Sequence, residues 1–97
     1  MIDYKQAEEI VLHEISKFDI GDDKAILLKE HTMVKPYGWL FFYNSKKYIE
    51  TGEFSYCLAG NAPILIDKVG KVHITGTAYE LEYYLKKLDQ HFKNVEF

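Results

Sequence analysis

Gly38-Trp39-Leu40-Phe41-Phe42-Tyr43-Asn44-Ser45 is the stretch of sequence that decides the fold. It contains the chain's single tryptophan and three further aromatic residues, with Pro36 and Gly38 as turn residues at its start. A short aromatic run between such breakers is typical of a β-strand. Both of its alternating faces are apolar until Asn44, so the sequence predicts a central strand that is covered on both sides.

The segments on either side of this strand predict an α+β domain. Asp3 and Gln6 form a capping-box pattern ahead of an apolar helical stripe over residues 3–18. Further strands are expected at residues 24–34, 63–68 and 71–75, and a second capping box at residues 77–80 opens the last helix. The predicted order is α-β-β-(short α)-β-β-α in a single domain, residues 1–97. We expect an antiparallel sheet of about four strands with the N- and C-terminal helices packed on one face.

Composition and charge narrow the class of protein. The net charge is −3, and all twelve basic residues are lysines. An acidic chain without arginine is a poor candidate for binding DNA or RNA. The lone Cys57 cannot form an internal disulfide, and no apolar run has the length of a signal core or a membrane span. The sequence therefore predicts a cytoplasmic protein that binds neither nucleic acid nor membrane.

No pattern of residues supports an enzyme, a cofactor or a metal ion. The four histidines have no metal-ligand spacing with one another or with Cys57. Cys57 falls in an apolar row with Phe54 and Leu58, which predicts a buried, chemically quiet thiol; a hydrolase using Cys57 is the weakest hypothesis. Glu50 and Glu53 could form an acid–base couple, but glutamates on a polar loop are usually solvated surface.

The segment 46–62 is long for a connection between strands, and such connections are often functional. A short helix is predicted near residues 53–59. Because two helices on one face would leave the other face of the aromatic strand uncovered, we expect this segment to fold back over the second face. A homodimer that packs sheet against sheet is the alternative.

Several motifs along the chain resemble those of a known family. They are listed here in chain order: Gly38-Trp39, Asn44-Ser45-Lys46, Glu50-Thr51-Gly52, Leu58-Ala59-Gly60-Asn61-Ala62-Pro63, Asp67 and Gly76-Thr77-Ala78. This pattern is similar to that of the YrhB-like, or immunity protein 35, family. The resemblance implies a small α+β immunity protein of a bacterial polymorphic toxin system, which binds a toxin domain encoded next to it. It carries over no catalytic residues.

Two hypotheses for the function follow from this resemblance. In the first, the chain is an immunity protein that neutralises one cognate toxin domain by stoichiometric binding. Its preferred partner-binding residues are Tyr48, Glu50, Glu53 and Tyr56, which combine aromatic contact area with negative charge suited to a basic toxin cleft. In the second, it is a stand-alone, chaperone-like stress protein that binds partly unfolded clients, as some family members are thought to do.

Overall fold

The protein is described here from a computed structural model, which covers residues 1–58 and 60–95. The helices are α1 (Tyr4–Ser16), α2 (Lys46–Thr51) and α3 (Leu81–His91). The strands are β1 (Ala25–Leu27), β2 (Met33–Lys35), β3 (Gly38–Phe41), β4 (Tyr43–Ser45), β5 (Ile64–Asp67) and β6 (Val72–Ile74), with 3₁₀ turns at Lys29–His31 and Phe54–Tyr56. The α+β class is confirmed, and the element order broadly matches the predicted one.

The aromatic stretch forms the centre of the sheet, as predicted. Strand β3 lies between β2 and β5 in a four-stranded antiparallel sheet of order β2-β3-β5-β6. After Phe42 the chain continues as β4, which pairs with β1 in a two-stranded antiparallel sheet. The chain from Gly38 to Ser45 is therefore a pair of consecutive strands with one break, rather than one uninterrupted strand.

The predicted strand at residues 24–34 is also broken, because its register against the aromatic stretch changes along its length. Leu27 is opposite Tyr43, whereas Met33 is opposite Leu40. Met33 is six residues after Leu27, but their partners Leu40 and Tyr43 are only three residues apart. The 3₁₀ turn at Lys29–His31 accommodates the extra residues.

Helix α1 covers the first face of the sheet. The buried apolar side chains of α1 contact side chains that point to the same side from β3, β4 and β5. Together they form the first core cluster: Ala7, Val11, Ile15, Trp39, Phe41, Tyr43, Ile64 and Ile66. The capping box that starts the helix is confirmed, since the Asp3 side chain accepts from the Gln6 amide at 2.9 Å and the Gln6 side chain accepts from the Asp3 amide at 3.0 Å.

Helix α3 covers the opposite face. Leu40 and Leu65 point away from α1 and pack with Tyr37 and Phe92, and Leu85 and Leu88 of α3 lie against this second cluster. The expectation that both terminal helices share one face is therefore wrong. Successive residues of a strand point to opposite sides, so a strand that is apolar on both sides needs one helix on each.

Two further expectations change with this placement. No described residue of the segment 46–62 belongs to the cluster on the second face; where the segment contacts the core, Leu58 packs on the first face, beside the α1 cluster. Because α3 lies on the second face, the reason for expecting a sheet-against-sheet homodimer no longer applies. The predicted capping box before α3 is wrong as well: α3 begins at Leu81, and the Tyr84 hydroxyl accepts from the amides of Ala78 and Tyr79 instead.

Gly38 allows the two central strands to lie side by side at the start of β3. It is buried and opposite Asp67 of β5. A Cβ atom at position 38 would overlap the backbone carbonyl oxygen of Ile66 and lie 2.8 Å from the Asp67 Cα. Any other residue at this position would push β5 away from β3.

Candidate partner-binding surface

The connection between the aromatic strands and β5 folds as helix α2 followed by a 3₁₀ turn. The expected single helix near residues 53–59 is wrong in position, and its last residue, 59, lies outside the described residues. Helix α2 ends at Gly52, whose φ of 71° is the left-handed conformation that glycine adopts readily. The Gly52 amide donates to the Tyr48 carbonyl at 2.8 Å, and the chain then turns away into Phe54–Tyr56.

Helix α2 is fixed at its start by two polar side chains. The fully buried Ser45 is its N-cap: its hydroxyl accepts from the Tyr48 amide at 3.0 Å and donates to Asp23 Oδ2 at 2.5 Å. Asp23 Oδ1 in turn accepts from the Lys47 amide at 3.2 Å. The hydrogen bond from Ser45 lowers the pKa of the Asp23 carboxyl, so the carboxylate that holds the helix is ionised at neutral pH.

The side chain of Lys47 joins the turn after α1 to the second 3₁₀ turn. Its ammonium group is 2.8 Å from Asp22 Oδ1 and 5.6 Å from the centre of the Tyr56 ring. The hydrogen bond between Lys47 and Asp22 raises the pKa of Lys47 and lowers that of Asp22, so both side chains remain charged. Shallow hollows of about 310 and 350 Å³ share this ion pair; Glu50 lines the first and Tyr56 the second.

Phe54 is the most exposed aromatic side chain of the described residues, at 83%. The backbone of the turn that carries it is held by two hydrogen bonds: the Phe54 carbonyl accepts from the Cys57 amide at 3.0 Å, and the Glu53 carbonyl accepts from the Tyr56 amide at 3.0 Å. The helical spacing of Phe54 with Cys57 and Leu58 predicted a buried row, so Phe54 was not among the candidate partner-binding residues. The signal that could have revealed it is Gly52, which ends α2 before Phe54 can join that helix.

The four predicted partner-binding residues lie on this same short segment. Tyr48 and Glu50 belong to α2, which packs against the 3₁₀ turn that carries Tyr56, while Glu53 immediately precedes that turn. Tyr48 is half-buried; Tyr56 is 39% exposed, and both glutamates are exposed. The Glu50 carboxylate is 3.7 Å from the Lys46 ammonium group, so part of the negative charge expected here is balanced.

Cys57 is half-buried rather than buried, and it follows the 3₁₀ turn instead of lying within a helix. Asn44 Nδ2 donates to its sulfur at 3.7 Å, while Asn44 Oδ1 accepts from the Leu58 amide at 3.0 Å. The thiol thus lies beside an amide that ties this segment to β4. Among the described residues, the hydrogen-bond partners of its sulfur are Asn44 and the Leu58 carbonyl, and neither is a general base.

Asp67 and His73 form a second polar group, on the other hairpin. Asp67 Oδ2 is 2.9 Å from His73 Nε2, and Oδ1 accepts from the amides of Val69 and Lys71 at 3.0 Å each. Burial alone raises the pKa of the Asp67 carboxyl, but hydrogen bonds from His73, Lys71 and Val69 outweigh it and hold that pKa below its usual value. Both oxygens are thereby used to close the hairpin, which is a structural role.

The described residues contain neither a metal-binding cluster nor a helix able to cross a membrane. In residues 1–58 and 60–95 there is no cluster of three or more histidine, cysteine, aspartate or glutamate side chains able to hold a metal ion. None of the helices described in that same part of the chain combines the length and the apolar character that crossing a bilayer requires.

The fold and the surface define a small α+β domain with a fixed, exposed aromatic turn on the connection between β4 and β5. The model of the immunity protein 35 family matches residues 5–87, so the chain belongs to that family, as its motifs indicated. It is 44% identical over 61 residues to the uncharacterized protein YrhB of Escherichia coli (strain K12). That alignment covers 62% of this chain and 63% of YrhB. No solved structure matches the chain.

Proposed function

We propose that this protein is an immunity protein that binds a cognate toxin domain in a one-to-one complex and thereby blocks it in the cytoplasm of the producing cell. Membership of the immunity protein 35 family supports this role. The mode of action needs only a stoichiometric contact surface, and the segment from α2 to the second 3₁₀ turn offers one.

Phe54 is the observation that carries the proposal. The Phe54 side chain is 83% exposed to water. Burying this apolar surface in a partner would be favourable and would contribute to the free energy of binding. Interface hot spots are typically large side chains that fill a pocket of the partner near the centre of the contact. Because hydrogen bonds already fix the turn, binding would cost little ordering of the chain.

The residues around Phe54 fit a polar rim. Tyr56 on the same turn and Tyr48 on α2 add aromatic area, while Glu50 and Glu53 add carboxylates. Lys46 offsets the charge of Glu50 through their ion pair, and Lys47 is paired with Asp22. We therefore assign most of the affinity to the aromatic contact, and to the carboxylates a role in steering a basic toxin surface towards it.

The chaperone-like role is the second candidate, and it would use exposed apolar side chains elsewhere on the surface. Val34, Val69 and Ile74 are each at least 65% exposed, and all lie outside the segment 46–58. Singly scattered apolar side chains are ordinary on the surface of a protein, so a client-binding role would require several of these positions to contact one unfolded chain together.

The proposal predicts that a neighbouring gene encodes a large secreted protein with a variable C-terminal domain, and the test is to co-express this chain with that domain. An immunity protein restores growth of the host and elutes with the toxin domain as a one-to-one complex in size-exclusion chromatography. Lack of protection, together with reduced aggregation of unrelated heat-denatured enzymes, would replace the proposal with the chaperone-like role.

A further inference from the structure

A groove of about 550 Å³ runs between helix α1 and strand β1, on the first face of the sheet. Its apolar walls include Leu12 and Phe18, which remain 42% and 41% exposed. The side chains of Ala25 and Leu27 pack against the α1 cluster, so the edge of β1 forms the other side of the groove. None of these residues belongs to the proposed partner-binding segment, residues 46–58.

The hydrogen-bond pattern of β1 shows which backbone groups face this groove. The Lys46 amide donates to the Lys24 carbonyl at 2.8 Å, and the Leu28 amide donates to the Phe42 carbonyl at 2.9 Å. In an antiparallel ladder, such hydrogen-bonded pairs alternate with residues whose amides and carbonyls point to the other side. The backbone amide and carbonyl of Ile26 therefore point towards β4. Those of Ala25 and Leu27 point away from β4, towards the groove.

Within residues 1–58 and 60–95, β1 pairs with β4 alone, so its other edge is free. A free strand edge has a specific chemical complement. Backbone donors and acceptors spaced two residues apart are satisfied by another extended polypeptide, which also places alternate side chains on one face. In this groove, those side chains would lie against the apolar wall of α1. One end of the groove is closed by the ion pair between Lys29 and Glu8, at 3.1 Å.

Charge at the other end of the groove distinguishes a partner protein from a second copy of this chain. Lys24 is exposed there and has no ion pair among the described residues, so an acidic residue of the ligand would complement it. A second copy of β1 would instead bring its own Lys24 and Lys29. Its nearby Asp23 carboxylate is already bonded to Ser45.

We propose that an extended segment of the toxin domain adds to the edge of β1 as a further strand, with apolar side chains against α1 and an acidic residue near Lys24. Assigning the segment to the toxin rests on the proposed function. The groove adjoins the surface around α2, since Lys24 lines both the groove and the hollow beside Asp22 and Glu50. One partner could therefore contact Phe54 and β1 together.

Peptide binding tests the strand edge without the toxin. The probe is the capped peptide acetyl-Thr-Val-Glu-Val-Thr-Val-amide, titrated into ¹⁵N-labelled protein and followed by NMR. We expect saturable shifts at the amides of Ala25 and Leu27. A peptide with the same side chains but N-methylated at alternate residues should bind at least about tenfold more weakly, because it lacks the backbone donors. Equal binding of both peptides, or no shift at these amides, would overturn the proposal.

Two variants of the protein complete the test. Ala25→Pro removes a donor on the free side of β1, where proline is tolerated in edge strands. Leu12→Lys places a charge in the groove, and His13→Lys is its matched control, since His13 is exposed on the same helix but does not line the groove. We expect the first two variants to lose peptide binding and His13→Lys to keep it. Equal loss in Leu12→Lys and His13→Lys would contradict a specific groove.

The toxin complex itself separates this inference from the proposed function. If the proposed function fails, no complex forms, whereas the peptide result stands. If only this inference fails, the complex forms but the amides of Ala25 and Leu27 exchange with deuterium as fast as in the free protein. Dimerisation of the chain that Ala25→Pro abolishes would also overturn it, in favour of a second copy at the β1 edge.

Discussion

Ser45 and Asp23, which are 22 residues apart in the chain, hold the start of the proposed partner-binding segment. Ser45 is both the last residue of β4 and the N-cap of α2, so one hydroxyl links the core to the surface helix. Its two hydrogen bonds are the reason why a helix of only six residues keeps one orientation, since so short a helix is marginal by itself.

Replacing Ser45 with alanine should therefore lower the free energy of unfolding by about 1–2 kcal/mol, because it removes a helix cap and leaves the Asp23 carboxylate without its hydroxyl partner. Chemical denaturation measures the loss, and hydrogen exchange at the Tyr48 amide should accelerate. The control is Ser55→Ala, an exposed serine on the second 3₁₀ turn, which should change stability by less than about 0.5 kcal/mol. Similar losses in both variants would show that the cap is unimportant.

Asp67 makes part of the stability dependent on pH. Its pKa is lower in the folded protein than the value of about 4 expected for an unfolded aspartate. A lowered carboxyl pKa stabilises the fold fully above the unfolded pKa, and the contribution disappears as the pH falls through the folded pKa. The hairpin between β5 and β6 should therefore weaken in acid.

Asp67→Asn keeps the shape and one acceptor but removes the charge. We expect the wild type to be more stable than this variant at pH 7, and the difference in free energy of unfolding to shrink as the pH falls below about 4. Urea denaturation at several pH values between 7 and 2 measures it. A difference that stays constant over that range would mean that the ionised carboxylate contributes no stability.

The faces of the sheet show, at the scale of elements, what sequence could and could not predict. Alternation along the aromatic stretch correctly indicated a strand buried on both sides. The apolar stripes of the terminal helices indicated that each is packed against something, but a stripe does not say which face it covers. That choice depends on long-range geometry: Trp39 and Phe41 point to α1, while Leu40 points to α3.

The secondary structure of the proposed partner-binding segment was predicted less well, for a local reason. Its position in the chain and its surface character were recognised from its length and its charged and aromatic residues. The spacing of Phe54, Cys57 and Leu58 matched a helix, but Gly52 and the cap at Ser45 place the helix earlier. With the helix displaced, Phe54 is outside the core. Capping and turn residues therefore outweighed apolar spacing in this short segment.

Two phenylalanines test the assignment of α3 to the second face. Phe92 is 7% exposed and stacks on Tyr37 with ring centres 4.5 Å apart, whereas Phe54 is 83% exposed. Phe92→Ala should cost about 3–5 kcal/mol by leaving a cavity between α3 and the sheet. The same change at Phe54 should cost less than about 0.5 kcal/mol. Thermal and chemical unfolding measure both, and a mild effect at position 92 would contradict the packing of α3.

In the molecule as a whole, the residues that form the core and the segment proposed to bind the partner lie in different places. The core residues lie in two clusters around β3 and β5, and the partner-binding segment leaves the sheet after β4. Changes to exposed side chains on that segment can thus alter binding without unfolding the domain. The effect of Phe54 on toxin binding can therefore be measured in a folded protein.

Calorimetric titration of the toxin domain with wild type, Phe54→Ala and Tyr79→Ala is that measurement. Tyr79 is the matched control, because it is an exposed aromatic residue, at 63%, that lies outside the segment 46–58. We predict that Phe54→Ala weakens binding by about 30-fold or more, as loss of an interface hot spot does, with an unchanged melting temperature. Tyr79→Ala should bind like the wild type. Unchanged affinity in Phe54→Ala, or a loss confined to Tyr79→Ala, would contradict the account.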